Sequence, residues 1–368
     1  MKRFLSIFLT VVFALTLLAG CSKGSSNKGS LSVGPSESSL PSVADSSPSA
    51  SASTSVVNPG SSVGKVTWGS LEHQTDTKDA PVVYMTTDIS AAGLMAVYKA
   101  LERTATGKVA VKLHTGEGVN GYYLRPKLIK DLVQSVNGTI VECNTAYRGS
   151  RSSTALHMQV AEDRGFTAIA PVDIMDADGS VEIPVVGGTH LKTDLVGSHF
   201  MNYDFFIILS HFKGHSIGGF GGALKNMSIG IASSQGKSLI HTAGAETTGF
   251  GMDVPPEIFT ECMAEAAKSV YDYLDHGNKM LYINVMNNIS VDCDCVPNPA
   301  EPDMHDIGIL ASLDPVALDQ ACVDLIYAAS DGASVIRRIE SREGTHILEH
   351  AQEINFGNRE YRLVSIDG

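Results

Sequence analysis

The chain has 368 residues, 43% of them hydrophobic and 18% charged, so it can bury a full globular core, and disorder along its whole length is excluded. Its formal charge is -13, and downstream of residue 63 there are 38 acids against 23 bases. A surface of that sign repels phosphate backbones, and no Lys/Arg cluster offsets it, so nucleic acid is excluded as a partner.

The first 21 residues read as a secretion signal: a basic start (Lys2, Arg3), an apolar run from Phe4 to Leu18, then Ala19, Gly20 and Cys21. The apolar run is shorter than the roughly 20 residues that a spanning helix needs. The ending Leu18-Ala19-Gly20-Cys21 resembles the bacterial lipobox, which implies diacylglyceryl modification of Cys21 and anchoring at the extracytoplasmic face of the cell membrane. From Ser22 to Ser62, 17 of 41 residues are Ser and the only large apolar side chains are Leu31 and Leu40, so residues 22–64 are expected to be a disordered tether. A Gly/Ser-rich coil of that length reaches on the order of 35 Å.

Residues 65–368 alternate strand and helix patterns. Strands are predicted at Val82–Thr87, Val109–His114, Thr139–Asn144, Phe205–His211, Leu281–Asn287, Ile307–Ala311 and Arg362–Ile366. Among the helices, one starts at Pro126 with Ile129, Leu132, Val133 and Val136 on one face. A second keeps Ile258, Cys262, Met263, Ala266, Val270 and Leu274 together, and a third follows Asp314-Pro315 with Leu318, Ala321, Cys322, Leu325 and Ile326. The alternation predicts one α/β layered domain with a largely parallel central sheet and flanking helices.

Ligands of such sheets gather beyond the carboxyl ends of the strands, and polar residues collect there. The second predicted strand delivers His114, Thr115 and Glu117, the third Cys143, Asn144 and Thr145, and the fourth Ser210, His211, Lys213 and His215. The strand from Leu281 leads to Cys293, Asp294 and Cys295. Cys at i and i+2 share one side of an extended segment, so Cys293 and Cys295, with His211 and His215, could hold zinc or mononuclear iron; a Cys293–Cys295 disulfide is the competing reading. Only three Cys are then free of other roles, too few for a four-thiolate cluster, so at most one mononuclear metal and no iron–sulfur cluster is expected.

The glycine-dense run from Lys213 to Asn226 can aim backbone N–H groups and lysines at an anion, through Gly218, Gly219, Gly221, Gly222, Lys225 and Asn226. Lys213, Asp294 and Asp306 are the candidate catalytic groups, Lys213 to hold an anionic substrate and the acids to transfer protons. Gly230 to Ser238 misses the P-loop spacing. Gly116, Gly118 and Gly121 match G-x-G-x-x-G, but the following helix opens only at Pro126, which argues against a dinucleotide site.

The stretches HFKGHSIGGFGGALKN (211–226), DCDC (292–295) and DIGILASLDPVALDQACVDLI (306–326) resemble the domain of unknown function 362 family, whose members are often labelled uncharacterised iron–sulfur centre proteins. VKLHTGEGVNGYYLRP, ECNTAYRGSRSST and HILEHAQEINFGNREYRLV agree with it, so the resemblance covers residues 80 to 368. Many members carry a Cys-rich ferredoxin-like insert after the lysine matching Lys237, whereas Ser238–Glu257 has no cysteine here. The resemblance therefore implies a role for this core without a cluster. The expected function is that of a lipid-anchored surface protein, metal-dependent or enzymatic, acting on a small anionic substrate; the alternative is a lipoprotein that binds a ligand or metal without chemistry.

Overall fold

The computed structural model describes residues 70–118, 121–250 and 253–368. These belong to the compact unit Val63–Gly368; Cys21 and the Ser-rich tether fall outside the described residues.

In chain order the elements are β1 (Val82–Thr86), α1 (Ala91–Ala100), β2 (Val109–Lys112), α2 (Pro126–Ser135), β3 (Thr139–Glu142), α3 (Thr154–Asp163), β4 (Val172–Ile174), β5 (Ser180–Pro184), β6 (Thr193–Gly197), β7 (Phe205–His211), β8 (Lys213–His215), β9 (Gly219–Gly221), α4 (Ala223–Met227), α5 (Ser234–His241), α6 (Pro256–Tyr273), β10 (Met280–Met286), β11 (Gly308–Ser312), α7 (Pro315–Ala328), α8 (Ala333–Glu340), α9 (His346–Glu353) and β12 (Arg362–Ser365). Eight strands form one sheet in the order β12-β1-β11-β10-β7-β2-β3-β4. Every pairing in it is parallel except the two made by β11, which runs against its neighbours β1 and β10. The fold is thus an α/β layered domain with a largely parallel sheet.

The central strands have no polar face because helices cover both sides. In β7, Phe205, Ile207 and Leu209 face a core shared with Leu94 and Val97 of α1 and with Ile129, Leu132 and Val133 of α2. Phe206 and Ile208 point the other way, into a core built with α4, α6, α7 and α9. Helix starts follow the sequence signals. Asp314 caps α7 by accepting the N–H groups of Val316 and Ala317 at 2.9 and 3.1 Å, with Pro315 in the first turn. Among the described residues no helix is long and apolar enough to cross a membrane.

Because β2, β3, β7 and β10 run in parallel, their carboxyl ends share one edge of the sheet. The hairpin β8–β9 and the short helices α4 and α5 are laid over that edge, and the enclosed space is the candidate site.

Candidate functional site

A cavity of about 460 Å³ opens at this edge. The strands supply Lys112 and His114, Glu142 and Cys143, and Ser210 and His211. The hairpin and α4 supply His215, Gly221, Gly222, Lys225 and Asn226, while α5 supplies Lys237 and His241. Arg148 and Arg151 come from the loop after β3, and Cys293, Asp294 and Cys295 from the loop after β10.

Cations outnumber the acids that could neutralise them. Lys112 is buried, and its Nζ donates to Glu142 Oε2 at 3.1 Å, to the Leu113 carbonyl at 2.6 Å and to Asn226 Oδ1 at 3.0 Å. Arg151 donates to Glu117 Oε2 at 2.9 Å and to Glu142 Oε1 at 3.3 Å. Burial pushes the Glu142 carboxyl up, but Lys112, His157 and Arg151 overcome it and hold the group well below the carboxylate range. Among the described residues Lys237 bonds only a carbonyl, that of Ala232, at 2.5 Å. Arg148 stands exposed at the rim. Lys225 is partly exposed into the cavity, and its ammonium has no bonding partner among the described residues. Burial, then the charges of Lys112, Arg151 and Lys237, push its pKa down to about 8.

The carboxylate of Asp294 faces the same edge but is already engaged. It accepts from His211 Nδ1 at 2.8 Å and from Lys213 Nζ at 3.0 Å. Against the upward push of burial, His211 and Lys213 hold it far below its ordinary value.

Three imidazoles line the cavity with defined polarity. The Nδ1 atoms of His114 and His215 each accept a backbone N–H at 2.9 Å, from Gly116 and Gly218 respectively. Burial, followed by nearby cations such as Arg151 for His114 and Lys225 for His215, pushes both well below the usual imidazole value. The neutral rings therefore carry their proton on Nε2 and present a donor. His241 is the opposite case. Its Nδ1–H donates to the Lys237 carbonyl at 2.6 Å, which leaves an Nε2 lone pair, and burial takes its pKa down to about 4.

Among the residues expected to act on a ligand, His211, His215, Gly221, Gly222, Lys225, Asn226, Cys293, Asp294 and Cys295 line the cavity. Asn226 has no capacity to spare: its Oδ1 accepts from Lys112, and its Nδ2 lies 3.1 to 3.2 Å from the Lys112 and Leu209 carbonyls and Ser210 Oγ. It positions rather than binds. His211 is also spent, because its second nitrogen faces the Asn287 carbonyl at 2.6 Å, so no lone pair is free for a metal. Lys213 sits one bond behind the wall, buried against Asp294 and 5.3 Å from the Tyr122 ring centroid. Asp306 does not reach the cavity; it is exposed and accepts the Asn288 N–H at 2.7 Å.

Gly218 and Gly219 are not cavity residues either. A Cβ on Gly218 would meet Met263 at 2.8 Å. Gly219 has φ +77°, and a Cβ there would meet Gly344 Cα at 2.7 Å. The expected backbone nest does hold a carboxylate, but it is the protein's own. Asp319 accepts the N–H groups of Ala223 and Leu224 at 2.8 and 2.9 Å.

Cys293 and Cys295 are joined as a disulfide, with Cα atoms 5.3 Å apart. Their sulfurs and a ring nitrogen of His215 lie within 4.8 Å of one another, a grouping able to hold a metal ion once the bridge is reduced. Cys143, Cys262 and Cys322 are buried free thiols, each pushed up by burial. The Cys143 thiol donates to the Ile231 carbonyl at 3.3 Å, a packing role.

The site residues without a role in the sequence reading are Lys112, Glu142, Arg148, Arg151, Lys237 and His241. Lys112 and Glu142 carry a usable signal, a charged residue closing a strand that is otherwise apolar.

The model of the family described as Domain of unknown function (DUF362) matches residues 109–324, more than half of the chain. No curated protein matches it. Among the solved structures similar to it are two that span different shares of the chain. One is the lactate racemase apoprotein from Thermoanaerobacterium thermosaccharolyticum, at 17% identity and a TM-score of 0.35, over 55% of this chain and 50% of that one. The other is a Thermotoga maritima protein, at 12% identity and a TM-score of 0.36, over 70% of this chain and 58% of that one. The chain thus spans about half the length of the first and under two thirds of the second, and likenesses this distant carry no argument about the site.

Proposed function

The chain belongs to the domain of unknown function DUF362 family, and from that premise we propose that its cavity binds a small anionic molecule and transfers a proton to or from it. The observation that carries this reading is the uncompensated positive charge at the carboxyl edge of the sheet. Among the described residues Lys225 has no partner and Lys237 has only a carbonyl, and Arg148 waits at the rim, while the acids nearby are used by Lys112, Arg151, His211 and Lys213. A carboxylate or phosphate supplies the missing charge, and at close range such pairing outweighs the negative field of the whole protein. The neutral rings of His114 and His215 offer hydrogen bonds from Nε2–H to an anionic oxygen, and His241 offers an Nε2 lone pair that can take a proton. Phosphate, oxalate and acetate should each raise the melting temperature of the wild type and do so less in Lys237→Gln, at constant ionic strength. Equal shifts in both proteins would remove the anion site.

A second reading, a mononuclear zinc or iron centre on His215, Cys293 and Cys295, is supported by their mutual closeness. It requires two thiolates in place of the bridge and a His215 Nε2 freed of its proton. Metal analysis after anaerobic reduction tests it: stoichiometric metal in wild type and none in the double variant Cys293→Ser, Cys295→Ser is the expected pattern.

We further propose lipid anchoring through Cys21 on the extracytoplasmic face, supported by the lipobox-like end of the signal. Cell fractionation of Cys21→Ala should find the protein released from membranes.

A further inference from the structure

We infer that Lys225 is a nucleophile that forms an imine with a small aldehyde or ketone bearing an anionic group. This deepens the anion-cavity reading by naming a substrate class, and it rests on that reading only for the placement of the substrate.

Lys225 differs from the buried cations at the site. Lys112 is tied to Glu142, Lys213 to Asp294, Lys237 to the Ala232 carbonyl, and Arg151 to Glu117 and Glu142. The Lys225 Nζ has no such tie among the described residues, and it faces the cavity. The backbone that carries it is fixed, because α4 is pinned at its start by Asp319 through Ala223 and Leu224. Gly221 completes the placement: a Cβ there would come within 3.3 Å of Lys225 Cδ, so the absence of a side chain leaves the stem its path. An amine attacks only when it has shed its proton. Burial first, and then neighbouring Lys112, Arg151 and Lys237, favour that form and take its pKa down to about 8.

The chemistry balances with the groups present. The Nζ lone pair forms the carbon–nitrogen bond while the carbonyl π pair moves to oxygen. Both nitrogen protons then pass to that oxygen, relayed by the His241 Nε2 lone pair, while the Nε2–H of His114 or His215 hydrogen-bonds to it, and it leaves as water. Amine and carbonyl become imine and water, with no oxidant or reductant consumed. Lys237 and Arg148 are left to hold the substrate's anionic group.

The test uses the full folded chain, glyoxylate as an anionic aldehyde, propanal as a neutral one, and cyanoborohydride to reduce any imine to a stable secondary amine. Peptide mapping by mass spectrometry should find Lys225 labelled by glyoxylate roughly tenfold or more faster than exposed Lys99 and Lys130. Oxalate should slow that labelling, and Lys225→Arg should remove it. Labelling of Lys225 no faster than of Lys99 overturns the proposal, and because that comparison is made within the wild type it does not depend on how the variant folds. Oxalate binding without a Lys225 adduct refutes the imine and leaves the anion cavity standing. Rapid Lys225 labelling by both aldehydes with no protection by oxalate supports the nucleophile and contradicts the anion reading.

Discussion

Two buried charge networks in this protein are built to different rules. Around Asp324, the carboxylate accepts from the Tyr361 hydroxyl at 2.9 Å, from His73 Nδ1 at 3.1 Å and from Gln320 at 2.8 Å, while Arg359 bonds Gln320 and His73 Nε2 at 2.8 and 3.0 Å. The donors of that network find acceptors, and it ties the segment before β1, α7 and the segment before β12 together. At the cavity, Lys225 has no partner and three imidazoles each leave one nitrogen without a bond among the described residues. The first network completes itself; the second is completed only by something added. Incomplete pairing in a buried, like-charged cluster is what separates a site from a staple.

The largest expected effect breaks the closed network. Asp324→Ala strands the Tyr361 hydroxyl, His73 and Gln320 and should cost about 3 to 5 kcal/mol in chemical denaturation, with anion affinity in the surviving folded protein unchanged. A loss below about 1 kcal/mol would mean that the network is not the staple described.

The next effect is acid sensitivity at the open network. Folded His241 titrates near 4 and an unfolded imidazole near 6.5, so below pH 6.5 the unfolded chain binds more protons. Stability present above pH 6.5 is therefore lost as pH falls towards 4, at about 1.4 kcal/mol per pH unit for each such group. His241→Gln should make the slope of stability between pH 6.5 and 4 shallower by that amount; an unchanged slope would mean that His241 is protonated in the fold.

Glycines sharpen the same contrast at smaller cost. Gly219→Ala places a Cβ against Gly344 at positive φ and should lose roughly 1 to 3 kcal/mol of stability. Gly221→Ala meets only the flexible Lys225 stem, so it should show itself in ligand binding instead. Smallest is Lys225→Met, which removes an unpartnered ammonium and should raise stability by about 1 kcal/mol while weakening anion binding. A destabilised Lys225→Met would point to a partner for Lys225 within the fold.

The sequence carries the scaffold well. Runs such as Phe205–Leu209 are apolar at every position because helices cover both sheet faces, and Pro126 and Asp314-Pro315 mark helix starts that the structure keeps. Short elements without such runs, β4, β8, β9 and α4, have no periodicity long enough to read. At the site, strand-end position identified His211, His215 and Asp294, since a parallel sheet gathers its carboxyl ends. Their pairing was not legible: nothing in the spacing says that Asp294 is consumed by His211 and Lys213, or that Asp319, 93 residues beyond Asn226, fills the glycine loop's amides. Lys237 and His241 lie one turn apart on α5, and only the folding of that helix over the sheet edge makes them neighbours of Lys225.

Calorimetric titration of oxalate into the wild type, Lys237→Gln and Asp324→Asn at fixed ionic strength tests the central claim most directly. The account predicts saturable one-to-one binding to the wild type, affinity weakened roughly tenfold or more in Lys237→Gln, and no change in Asp324→Asn. No saturable heat in the wild type, or the same affinity in all three proteins, would contradict it.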